Sequence, residues 1–90
     1  MTIKTSYGFE VTAADGAAEA VGDYDTFEKL VALDRGDPTV LPELLDVIFG
    51  EAGKRELTEG LKQEKGRAKT LDVLQVLREA IPQLSESAKK

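Results

Sequence analysis

The sequence predicts a mainly α fold: an N-terminal β-hairpin followed by a small bundle of about four helices. Three observations carry this. Apolar residues recur at helical spacing through most of residues 24–84. Alternation of strand type is confined to residues 2–12. Gly36, Pro38, Gly50 and Gly66 fall between the helical segments, where breaks are needed. The chain has 90 residues, room for one domain. That domain is read as residues 1–84, with a polar, disordered tail over 85–90.

The hairpin comes first. Ile3, Thr5, Phe9 and Val11 are β-formers on alternate positions, with Lys4 and Glu10 between them. Ser6-Tyr7-Gly8 supplies a turn, with Gly8 at positive φ. A two-stranded hairpin is marginal alone, so it must pack on helices or offer its edge to another strand. Residues 13–23 are small and weakly patterned and read as a mobile connector with at most one helical turn.

The first predicted helix spans residues 24–34. Asp25 or Thr26 is its expected cap, and Phe27, Leu30, Val31 and Tyr24 its core stripe. Gly36 and Pro38 end it. The second spans residues 39–49, with Asp37 as N-cap, Pro38 at N1, and apolar residues nearly all round. The third, residues 51–64, is polar, keeps Ala52, Leu57 and Leu61 on one side, and contains Gly53 and Gly60. It reads as an outer helix held by few contacts. The fourth, residues 70–84, starts at Thr70 and carries Leu74, Leu77, Ile81 and Leu84 as one stripe. Pro82 is expected to bend or fray its last turn.

Composition narrows the function. The chain is 41% apolar and 32% charged, ordinary for a soluble globular domain. Its net charge is −5, which disfavours a phosphate-backbone partner. Cysteine and histidine are absent, which removes thiolate chemistry, the commonest general base and the commonest soft metal ligands. No apolar run is long enough to span a membrane, and no secretory h-region opens the chain. The expectation is a cytoplasmic, non-enzymatic protein without cofactor, metal, nucleic-acid or membrane partner.

Charge is uneven along the chain. Residues 1–50 hold ten acidic and three basic residues, whereas residues 51–90 hold seven acidic and nine basic. Two solvated faces of one fold explain this; head-to-tail self-association through opposite patches is the sharper reading. Asp23, Asp25, Asp34 and Asp37 suggest calcium, but Pro38 intrudes and no closing Glu follows, so helix capping explains them better. Gly50-Glu51-Ala52-Gly53-Lys54-Arg55 lacks the spacing and the preceding strand of a phosphate loop. Arg55, Lys62, Lys65, Arg67 and Lys69 form a basic patch without interleaved aromatics, best read as a solvated face. The feature that points to function is the aliphatic surplus on the second and fourth helices. Leu41, Leu44, Leu45, Ile48, Leu74, Leu77 and Ile81 would line a protein-binding groove if the third helix covers them poorly.

In order and local phrasing the chain resembles the short tail assembly chaperones of siphophages and prophages of Gram-positive bacteria. The resemblance rests on the strand segment Ile3–Val11, then Phe27-Glu28-Lys29-Leu30-Val31-Ala32-Leu33-Asp34, and a break at Asp37-Pro38. It continues through Leu41-Pro42-Glu43-Leu44-Leu45-Asp46-Val47-Ile48-Phe49-Gly50 and the segment Leu57–Arg67. It implies a non-enzymatic role in tail morphogenesis, binding the tape-measure protein and tail-tube subunits, with homo-oligomers expected. Such proteins are often made in short and frameshift-extended forms, and Lys89-Lys90 fits a slippery A-rich codon run. The competing class is a small acidic regulator: an antitoxin, an anti-repressor, or an inhibitor that mimics nucleic acid. A third is an enzyme accessory subunit whose hairpin adds a strand to a larger sheet.

Overall fold

Helices and a single hairpin build the structure, a computed structural model that describes residues 1–88. Strands β1 (Thr2–Lys4) and β2 (Glu10–Thr12) pair antiparallel, with Ile3 opposite Val11. Helices α1 (Ala17–Ala20), α2 (Tyr24–Asp34), α3 (Leu41–Ile48), α4 (Gly50–Lys65) and α5 (Thr70–Ala88) follow, with a 3-10 turn at Pro38–Val40. The mainly α class and the N-terminal hairpin stand as expected, with five α-helices among the described residues.

The turn forms where the sequence places it. The Thr5 amide and hydroxyl both donate to the Phe9 carbonyl, and Gly8 sits at φ 93°. Ile3 and Val11 point inward and are fully buried. Helix side chains engage both outer edges of the hairpin. The Gln83 amide of α5 grips Lys4 at both backbone groups, accepting from its N–H at 3.0 Å and donating to its carbonyl at 2.8 Å. Glu79 accepts from the Ser6 N–H at 2.9 Å. On the other edge Glu56 of α4 accepts from the Thr12 N–H at 3.0 Å. Side chains from two helices thus satisfy some of the backbone groups that would otherwise template another strand.

The segment read as a mobile connector is anchored. The Ala14 N–H donates to the Ile48 carbonyl at 2.8 Å, and Ala13 and Ala17 are buried. Small side chains are what let α1 lie close against α3 and α5.

The helix read as peripheral is central to the hairpin's support. Helix α4 packs against β2, α3 and α5, with Leu57 and Leu61 fully buried. Ala52, expected on its inner side, is exposed, and Gly53 is buried in its place. A Cβ at Gly53 would collide with the Thr12 carbonyl and the Phe49 side chain. One at Gly60 would lie 2.6 Å from the Phe9 ring. These glycines weaken the helix by about 1 kcal/mol each relative to Ala, yet they let the hairpin approach.

Helix α5 passes through Pro82 and continues to Ala88, so residues 85–88 are helical where a disordered tail is expected. Pro82 is exposed, and it deletes one backbone bond of the helix. Leu84 is buried and Ser85 half-buried, which gives the last turns a surface to follow. Lys89 and Lys90, the residues of the frameshift reading, lie outside the described residues. No helix among the described residues is long and apolar enough to cross a membrane.

Candidate protein-binding site

The predicted groove on the second and fourth helices is largely core. Leu44 and Ile48 are fully buried, and Leu41 and Leu77 nearly so. They join Ile3, Val11, Leu57, Leu61, Val76 and Leu84 in one cluster. Leu45, Leu74 and Ile81 are half-buried and pack against its margin. Burying a leucine is worth about 1.5–3 kcal/mol, so presenting the buried four to a partner would dismantle the domain. The groove fails because α4 and the hairpin cover the stripes that the sequence leaves uncovered.

The exposed apolar surface lies on α2. Its inner side is Thr26, buried, with Leu30 and Leu33 packed against the core. Its outer side carries Tyr24, 72% exposed, and Phe27, 49% exposed. The two rings stack, 6.2 Å between centroids and 12° between planes. Val31 and Ala32 continue the stripe toward Arg35 and Asp37, which close an open groove of about 610 Å³. The expected core stripe of Tyr24, Phe27, Leu30 and Val31 therefore points partly outward, and only Leu30 of that set packs against the core. The expected caps are displaced too: the N-cap is Asp23, with no side-chain cap bond, and Thr26 is inside the helix.

Carboxylates rim this groove. Glu28 lines it and also borders a shallower hollow of about 360 Å³ with Asp25, Lys29, Val40 and Glu43. Lys29 pairs with Glu43 at 3.7 Å. Asp37 caps the 3-10 turn as expected, accepting from the Thr39 N–H at 3.0 Å and from the Thr39 hydroxyl. Those bonds, the hydroxyl's first, hold the Asp37 carboxyl below its ordinary range and keep it charged at the groove's end.

A second exposed apolar residue stands elsewhere. Leu71, at the start of α5, is 79% exposed, beside exposed Arg67 and Lys69. Its neighbour Asp72 is engaged, accepting from the Tyr7 hydroxyl at 2.9 Å. Lys65 lies over the Tyr7 ring, 5.5 Å from its centroid.

Chemically, the α2 groove can receive an apolar side chain against two aromatic rings and hold cations at its rim. The altered ionisations elsewhere have structural causes. Burial first, then the bond to Asp72, raises the Tyr7 phenol above 10.0. Glu79 is pushed up by burial, but its bonds from Ser6 and Gln75 outweigh that and leave it lowered. Sequence reasoning missed the α2 site because Tyr24 and Phe27 fit a core stripe equally well; their nearness to Asp23, Asp25 and Glu28 was the available signal. No protein-family model, curated protein or solved structure matches the chain.

Proposed function

We propose that this chain is a tail assembly chaperone of a phage or prophage, acting in the bacterial host cytoplasm. It binds the tape-measure protein, and the tail-tube subunit, during tail morphogenesis, and works by covering apolar helical surface without making or breaking bonds. The observation that carries this reading is the exposed Tyr24–Phe27 pair on α2, set in an open groove on an otherwise well-filled domain. Large exposed aromatics beside acidic residues suit the apolar stripe of a helical client. The order of segments described above supports the choice of client.

Co-expression tests it. The tape-measure protein of the same genome should stay in the soluble fraction with this chain and aggregate without it. Phe27→Asp should abolish that protection while leaving the helical circular-dichroism spectrum intact. A tape-measure protein that neither stays soluble nor co-purifies would refute the proposal. The acidic first half of the chain favours one other reading, a small acidic regulator. Co-purification with a toxin or a DNA-binding protein, in place of the tape-measure protein, would select it.

A further inference from the structure

We infer that the corner where α4 meets α5 docks an acidic, amphipathic segment of a partner protein, at a site separate from the α2 groove. The surface is a strip along α5 and the loop before it. Leu71 is 79% exposed, the most exposed of the large apolar residues described. Half-buried Leu74 follows one turn on and exposed Arg78 two turns on, so the three share one face of the helix. Arg67 and Lys69 precede them, both exposed. None of Arg67, Lys69 and Arg78 forms an ion pair among the described residues. Residues 62–69 hold four cations against one carboxylate, in a chain of net charge −5. The carboxylates of this part of α5 are turned to the hairpin: Asp72 accepts from the Tyr7 hydroxyl and Glu79 from the Ser6 N–H. A positive strip with an apolar centre thus stands on an acidic protein.

The chemistry selects a protein segment. Two leucines with cations at both ends complement a short helix that sets leucine-sized side chains among aspartates and glutamates. Nucleic acid fits less well. The exposed aromatics described both lie on α2, and the half-buried Tyr7 ring near the strip has Lys65 over it, 5.5 Å from its centroid. No ring among the described residues is therefore free beside these cations for base stacking. In sequence the cations read as a solvated face; the exposed Leu71 among them is what the structure adds. Helix α2 packs on α3 and the 3-10 turn, whereas α5 packs on β1, α1 and α4. The strip and the groove thus rest on different supports, and the inference does not require the proposed client to exist.

Fluorescence anisotropy with the purified chain tests this. The probe is a labelled synthetic helix of about four turns, with leucines on one face and otherwise Asp, Glu and Ala. It should bind at low salt and loosen as salt screens the cations. Leu71→Ser should weaken binding about tenfold, and Arg67→Glu combined with Lys69→Glu should weaken it further. These positions are exposed, so the variants should keep the wild-type helical spectrum. Phe27→Asp should leave the affinity unchanged. The inference is overturned by a probe that does not bind at low salt, or by binding that survives Leu71→Ser. Equal loss in Phe27→Asp would place the probe on α2 and overturn it too, as would tighter binding of an oligothymidylate through the same cations. A mass above the 9.8 kDa monomer that depends on Leu71 and excludes the probe would make the occupant a second copy and end the inference. Failure of the probe with client protection intact refutes the inference alone; probe binding without client binding refutes the proposed function alone.

Discussion

Helix α4 carries two internal glycines and few large apolar residues, yet its inner side is sealed against the hairpin. Helix α2 is richer in apolar residues, yet Tyr24 and Phe27 stand in solvent. Apolar content alone therefore ranks the two helices in the wrong order of burial. What separates them is how near another element can come. Gly53 and Gly60 remove side chains where β2 and Phe9 cross α4, and the close approach goes with the burial of Gly53, Leu57 and Leu61. On α2 the aromatic rings project beyond the reach of α3 and the 3-10 turn, and among the described residues they stay exposed. That face is the one proposed above to receive a partner.

The strongest way to break this contrast is to place a methyl group on the sealed side. Gly53→Ala should gain helix propensity, but its Cβ meets a backbone carbonyl that cannot swing aside. The net effect should be destabilisation of about 2 kcal/mol, a fall in Tm of roughly 10 °C. Thermal unfolding by circular dichroism checks it. Phe27→Ala on the open side should change stability by less than about 0.5 kcal/mol. An unchanged Tm for Gly53→Ala would mean that the hairpin does not rest on α4 as described.

Much of this fold was legible in residue order. The bounds of α2 follow from the apolar run that Gly36 and Pro38 end, and the hairpin turn from Gly8. The phase of α2 was not legible. Its apolar residues cover both an arc through Leu30 and Leu33 and an arc through Tyr24, Phe27 and Val31, so periodicity cannot choose which faces inward. The candidate groove failed for a related reason: a stripe such as Leu41, Leu44 and Ile48 has the same spacing whether it meets a partner or the protein's own hairpin. The glycines of α4 held the missing information. With Leu57 and Leu61 they fall on one helical face, a smooth track for a crossing strand.

A smaller effect sharpens the same contrast at the hairpin's edge. Gln83→Ala removes the two bonds to the Lys4 backbone. Both lie near solvent, so water replaces them in part, and the loss should be about 1 kcal/mol. The clearer readout is hydrogen exchange: the Lys4 amide should lose protection while amides in the middle of α5 keep theirs. If Lys4 exchanges at the same rate in both proteins, the edge is not held by α5.

The smallest expected effect concerns Tyr7, where the sealed side meets the first turn of α5. Its ring stacks on Phe9 and its hydroxyl donates to Asp72. Burial and that bond favour the neutral phenol, so the native state holds this proton to a higher pH than the unfolded chain does. The stabilisation is complete below the ordinary phenol value and fades as pH rises through the raised one. The chain has two tyrosines, so Tyr24→Phe leaves Tyr7 as the only phenolate chromophore. Its ultraviolet titration should then fall above 10.0, the ordinary value. Asp72→Asn should move it back down, because the negative charge that opposes ionisation and the carboxylate acceptor go together. A Tyr7 titration at the ordinary value in the intact chain would mean that the hairpin tip is not docked on α5.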